Sequence, residues 1–180
     1  KHHAYKNSPI TSQYRRERLR VQYKLDFLTL VDKDSMILGT SSHQGPTGQR
    51  ARLDPVILQA LRGSVSSGTT LISREDLLRK SKELAAQAHI ALVETRRARP
   101  TERSVEDRGM ALESAVPILN VHETVNGVVY GGILLNRRYD LVDRIRDAVF
   151  DIAVYDGKPL GTVTIFLWDT RIATNVIRAD

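Results

Sequence analysis

The chain has 180 residues, 41% of them hydrophobic and 27% charged, which suits one globular domain with a sizeable core. Its 27 Lys and Arg outnumber 21 Asp and Glu, giving a net charge of +6 and a pI of about 9.8. It has no cysteine, which excludes disulfides, thiol catalysis and zinc sites built on sulfur. The basic excess is local. Residues 1–24 carry Lys1, Lys6, Arg15, Arg16, Arg18, Arg20 and Lys24 against Glu17 alone, so residues 25–180 are neutral. The best apolar run, Gly127 to Leu135, is nine residues long, against about 20 for a membrane span. Nothing reads as a signal peptide. If the natural protein is membrane-bound, this sequence is expected to be an excised soluble piece of it.

Taken in order, residues 8–24 read as a helix capped by Ser8 with Pro9 at its first position. Tyr14, Arg18, Val21 and Leu25 fall on one stripe. The period then shortens. Leu25–Val31 and Ser35–Gly39 predict two strands around the polar turn Asp32–Ser35, and 41–53 predicts a Gly/Ser/Pro loop. Asp54-Pro55 is a strong helix start, with Gly63 placed to end that helix. Thr69–Ile72 predicts a short strand, and Ser73-Arg-Glu-Asp76 a capping box that opens one helix running to Ala88.

His89–Glu94 reads as a strand and 96–109 as a charged loop. Met110–Leu119 and Gly127–Leu135 predict an antiparallel hairpin whose polar connection ends in Asn126-Gly127. Tyr139–Phe150 is an amphipathic helix. Gly161–Trp168 and Arg171–Val176 predict a last hairpin turned at Asp169-Thr170. This order implies an α+β fold, a central antiparallel sheet with helices on one face. No internal repeat and no low-complexity tract interrupts it.

Catalytic motifs are mostly absent: there is no Gly-x-Ser-x-Gly, no phosphate loop ending in Lys-Ser/Thr and no His-Glu-x-x-His. Asp32 and Asp34 resemble the start of a calcium loop but lack its Gly and distant Glu, so a polar hairpin turn is the better reading. Two places stand out for binding. On strand 110–118 one face reads Ala111, Glu113, Ala115, Pro117, so a mid-strand carboxylate is flanked by small side chains that leave space above the sheet. Next to it, Tyr130-Gly131-Gly132 sets a polar-tipped aromatic beside two residues without side chains, which marks a bulge or a close approach of ligand or backbone. The competing readings are a structural ion pair for Glu113 and helix packing for the glycines. The second place is the arginine set Arg96, Arg97, Arg99, Arg103 and Arg108, whose guanidinium groups suit carboxylates. Glu94, Glu102, Glu106 and Asp107 dilute it, so a self-paired loop competes and an undivided nucleic-acid surface does not form.

Gly127–Phe150, Tyr155–Phe166 and Asp169–Val176 together resemble the Cache sensor domains of bacterial transmembrane receptors. The resemblance is to the variety with two fused modules found in sensor histidine kinases and chemotaxis receptors. Leu25–Asp32, Asp54-Pro55, Ser73–Leu78 and Arg108–Glu113 extend it in the same order across most of 25–176. It implies a PAS-like extracytoplasmic module with a long N-terminal helix and flanking helices, a ligand cavity between sheet and loops, and no enzymatic activity of its own. It further implies a stem over 1–24, a sensor module over 25–138, and a connecting helix and hairpin over 139–180 that either complete this module or start a second.

The expected ligand is a small, anionic metabolite, with Arg96, Arg108, Glu113, Ala115 and Tyr130 as candidate contacts. No cofactor, metal or nucleic acid is expected. The expected partners are a second copy, through the N-terminal helices, and an adjacent membrane whose anionic lipids face the basic stem. The alternative is a ligand-free dimerising spacer of such a receptor.

Overall fold

The paired strands 109–119 and 125–134 set the architecture, because successive side chains leave a strand on opposite faces and one of those faces takes the helices that follow β2 and β3. The computed structural model describes residues 13–42, 45–93, 102–150, 154–155 and 157–176. In chain order these form α1 (Gln13–Gln22), β1 (Phe27–Asp32), β2 (Ile37–Thr40), α2 (Pro55–Leu61), β3 (Ser66–Ile72), α3 (Arg74–Lys80), α4 (Lys82–Ala88), β4 (Ile90–Ala91) and β5 (Val105–Glu106). They continue with β6 (Gly109–Leu119), β7 (Val125–Leu134), α5 (Tyr139–Phe150), β8 (Val154–Tyr155), β9 (Lys158–Pro159), β10 (Thr164–Leu167) and β11 (Thr170–Thr174).

Five strands make one antiparallel sheet in the order β2-β1-β7-β6-β3. Helices α2, α3 and α4 cover one face. The main core lies between them and Val31, Val128, Leu134, Ala111 and Ala115 of the sheet. The α+β order expected from the sequence is therefore present. A second, smaller cluster of Leu135, Leu167 and Ile172 joins the β10–β11 hairpin to the end of the sheet. Asn136 is fully buried at that junction. Its side chain accepts the Met110 N–H at 2.9 Å and donates to the carbonyls of Arg108 and Ala88.

Four local expectations change. The single helix over 75–88 is two helices. Ser81 is extended (φ −170°, ψ 142°), and its hydroxyl accepts the N–H groups of Glu83 and Leu84, so it recaps the chain as α4. Strand β3 starts at Ser66, because an edge strand tolerates the polar stretch Ser66-Ser-Gly68 once β6 supplies its hydrogen bonds. Asn126-Gly127 belongs to β7 and the turn is Asn120–Thr124, with the Asn120 side chain accepting the N–H groups of His122 and Thr124. The last turn is Trp168-Asp169, with Trp168 left-handed at φ 57°, and Thr170 already lies in β11.

Helix α1 is ten residues long among the described residues; the expected Ser8 cap and Pro9 lie outside them. Its basic residues are not all solvated. Arg16 is buried against Gly39 and donates to the Thr40 carbonyl at 3.0 Å, while Arg20 pairs with Glu17 at 2.7 Å. The helix is thus tied to the β2 edge.

Gly132 has no room for a side chain. A Cβ there would collide with the Leu112 carbonyl of β6 and lie 3.0 Å from the Phe27 ring. Gly132→Ala is expected to lower the unfolding free energy by about 2–3 kcal/mol. Gly157→Ala has open space around the added carbon, but φ is +72°, so about 1 kcal/mol is expected there. Urea unfolding of the two variants measures the order, and equal losses contradict it.

Candidate functional site

A row of paired residues across the sheet runs Phe27 (β1), Gly132 (β7), Glu113 (β6), Gly68 (β3). All four point to the helix-covered face. Glu113 therefore stands between two glycines across the sheet and between Ala111 and Ala115 along its own strand. The four small neighbours leave a furrow in the sheet floor. Helices α2 and α3 and the segment 46–52 roof the furrow to form a cavity of about 70 Å³. Its walls bring in Asp54, Arg50, Arg79, Lys80 and Tyr130, with Ile37 and Ile57 as apolar surface. The 48–51 stretch is held along β2 by backbone hydrogen bonds, Gly48 N–H to Ile37 O at 2.8 Å and Ile37 N–H to Gln49 O at 2.8 Å.

Glu113 is 4% exposed and accepts the Thr70 hydroxyl at 2.8 Å. Burial, and then the nearby negative charge of Asp54, push its carboxyl up to about 7, against the pull of Lys80 and Thr70. Asp54 lines the same cavity as Glu113. Asp54 also caps α2, accepting the Ile57 N–H at 3.0 Å. One residue thus serves as helix cap and as neighbour of a buried acid.

Lys80 is the last residue of α3, set at the break that Ser81 makes. Its ammonium lies 4.2 Å from the centroid of the Phe27 ring and 4.9 Å from that of Tyr130. Burial pulls this amine below the ordinary lysine value, against the opposing charges of Glu113, Asp76 and Asp54. Tyr130, the register partner of Thr29 on β1, has its hydroxyl pushed well up, chiefly by burial. At the rim, Arg52 and Arg79 both approach Asp76, at 3.1 and 3.7 Å. The arrangement is a buried acid pair on the floor, an ammonium faced by two rings beside it, and arginines at the mouth. Such a site suits charge recognition. Among the described residues no group of His, Asp or Glu forms a metal cluster.

The candidate residues from the sequence separate. Glu113 and Tyr130 line the cavity together. Ala115 pairs with Tyr130 in register and is fully buried in the core beneath α2 to α4. Arg108 faces elsewhere: with Arg103 it holds Glu106, at 2.7 and 2.6 Å. Glu106 is 2% exposed, and the hydrogen bonds from Arg108 outweigh burial and bring it down to about 2. Arg96 lies outside the described residues. Sequence reasoning missed Asp54, Lys80, Phe27 and Arg50. Asp54 carried a signal as a helix cap; Lys80 carried none, because its place depends on the break at Ser81.

No protein-family model matches the sequence. No curated protein matches it either. Among solved structures, it is similar to the sensor domain of DcuS from E. coli, at 21% identity over 72% of this chain and 71% of that chain, with a TM-score of 0.43.

The two buried acids give opposite pH dependences. Glu113 holds its proton more tightly in the native chain than at the ordinary 4.5, so stability is expected to fall as pH rises from about 4.5 to 7. Glu106 holds its proton more weakly, so stability is expected to fall as pH drops from about 4.5 towards 2. Denaturation midpoints measured across this range should peak near pH 4.5–5. Glu113→Gln should flatten the upper limb and Glu106→Gln the lower one; a limb that survives its own substitution has another source.

Proposed function

We propose that this chain is the extracytoplasmic sensor domain of a bacterial signalling receptor, and that it binds a small organic anion in the cavity over Glu113. The observation that carries this reading is Lys80. Its ammonium faces the cavity between two aromatic rings, and among the described residues it forms no ion pair. An amine held away from water and without a direct ion-pair partner stabilises an incoming carboxylate more than a solvated lysine does. Arg50 on the wall adds a second cation. The resemblance of the sequence to Cache modules, spread in order over most of the chain, supports the receptor context. Homodimerisation through the N-terminal helix and an adjacent membrane belong to the same proposal.

A route from cavity to helix is available for signalling. The wall segment 48–51 is bonded along β2, and the Thr40 carbonyl at the end of β2 accepts Arg16 of α1. An anion that draws Lys80 and Arg50 together favours one setting of this wall over another, and the difference in affinity between the two settings is the signal. The ligand-free spacer remains the second reading, favoured by cavity size: about 70 Å³ is well below the roughly 300–1,000 Å³ of drug-sized sites.

Thermal unfolding against a panel of amino acids and carboxylates, including acetate, propionate, pyruvate and malonate, tests the proposal. A true ligand at a hundredfold excess over Kd is expected to add about 2.7 kcal/mol. Lys80→Met should remove that gain while leaving the chain folded. A panel without a single stabilising compound leaves the spacer reading in its place.

A further inference from the structure

The floor of the cavity carries one feature that simple anion binding does not need. Two carboxyl groups, Asp54 at the start of α2 and Glu113 in mid β6, line the same small cavity in which the anion is to be held. Ionised carboxylates only accept hydrogen bonds and repel each other, so two of them around one small cavity, one of them 4% exposed, favour a proton on the pair. The donors that reach them are the Thr70 hydroxyl and the Ile57 N–H. Among the described residues neither carboxylate forms an ion pair with Lys or Arg.

The charged and titratable groups facing Glu113 come from every element around it. Helix α2 supplies Asp54, α3 supplies Lys80 and, farther off, Asp76, and β7 supplies the Tyr130 hydroxyl. The wall segment before α2 supplies Arg50 and Arg52, but Arg52 is engaged with Asp76, as is Arg79 of α3. Lys80 is thus the cation whose charge opposes the pair most directly. An anion that takes the Lys80 ammonium removes that compensation. With the pair fully ionised, three negative charges would then share one small enclosed cavity.

We propose that the cavity takes up its anion together with a proton kept between Asp54 and Glu113, so that the site reads the carboxylate and the acidity of its surroundings jointly. This inference rests on the anion-binding reading above. It adds to that reading a reciprocal coupling: the bound anion tightens the proton, and the proton tightens the anion. The upward push on Glu113 from burial and from Asp54 places the exchange near neutrality.

Calorimetric titration of the whole chain with acetate, propionate, pyruvate and malonate at pH 5.5 to 8.5 tests this. The expected result is a Kd that weakens about tenfold per pH unit above 7, with a binding heat at pH 7.5–8 that varies with the ionisation enthalpy of the buffer as uptake of about one proton requires. Glu113→Gln should flatten the pH dependence and keep the binding. Asp54→Asn, which retains a helix-capping side chain, is the second variant should the first fail to fold, and it should flatten the dependence as well. Carboxylates that bind with the same Kd at pH 6 and 8.5, and with buffer-independent heat, overturn the proton coupling and leave the anion site standing. A pH dependence that persists in both variants also overturns it, since the titrating group is then elsewhere, Lys80 first among the choices. A folded chain that binds none of the four at any pH overturns both readings.

Discussion

A carboxyl group placed in the core of a small sheet is the constraint around which the cavity face is arranged. Burial of an ionised Glu113 without compensation would cost several kcal/mol, and the chain answers in three ways at once. Glycines on both sides and alanines above and below make room for the side chain and for whatever solvates it. A second acid, Asp54, stands at the same cavity, and its charge favours the protonated form. A lysine, set at a helix end and faced by two rings, supplies charge from outside ion-pair range. Each answer is partial, and the result is a polar group left responsive.

Glu106 shows what full compensation looks like in the same molecule. It is as deeply buried as Glu113, yet two arginines and the Arg108 N–H bond it directly. Asn136 is satisfied in the same way: its side chain bonds three backbone groups, and its backbone carbonyl accepts the Gln87 side-chain amide at 2.7 Å. Such sites fix structure: removing a partner costs stability and ligands have nothing to offer. Glu113, Asp54 and Lys80 leave bonding capacity unspent on the cavity side. That contrast, more than charge itself, separates a structural acid from a recognition site here.

Much of the fold was legible because it rests on local patterns. The β6–β7 pair, the Asp54 and Ser73 caps and α5 all follow from period and capping chemistry, and the small residues around Glu113 were visible along its own strand. What was hidden depends on contacts between distant segments. Gly68 sits opposite Glu113 only through the β3–β6 register, and nothing in Ser66–Gly68 by itself reads as a strand. Lys80 faces the cavity only because Ser81 breaks a helix that its neighbours would happily continue. The reverse error has the same root. Arg108 looked available in a list of arginines, and Glu106, two residues before it, had already claimed it.

The division of the roof at Ser81 has one more consequence. Helices α3 and α4 are seven residues each, about two turns, far short of the dozen or more residues at which an isolated helix holds itself together in water. They persist because Leu77, Leu84, Ala85 and Ala88 are pressed against the sheet. The floor is a continuous hydrogen-bonded ladder; the α3 part of the roof, with α4 behind it, is a short rod pinned by side chains. Lys80 therefore rides on a segment with little helical stability of its own, and its place at the cavity depends on how firmly Leu77 holds α3 to the sheet.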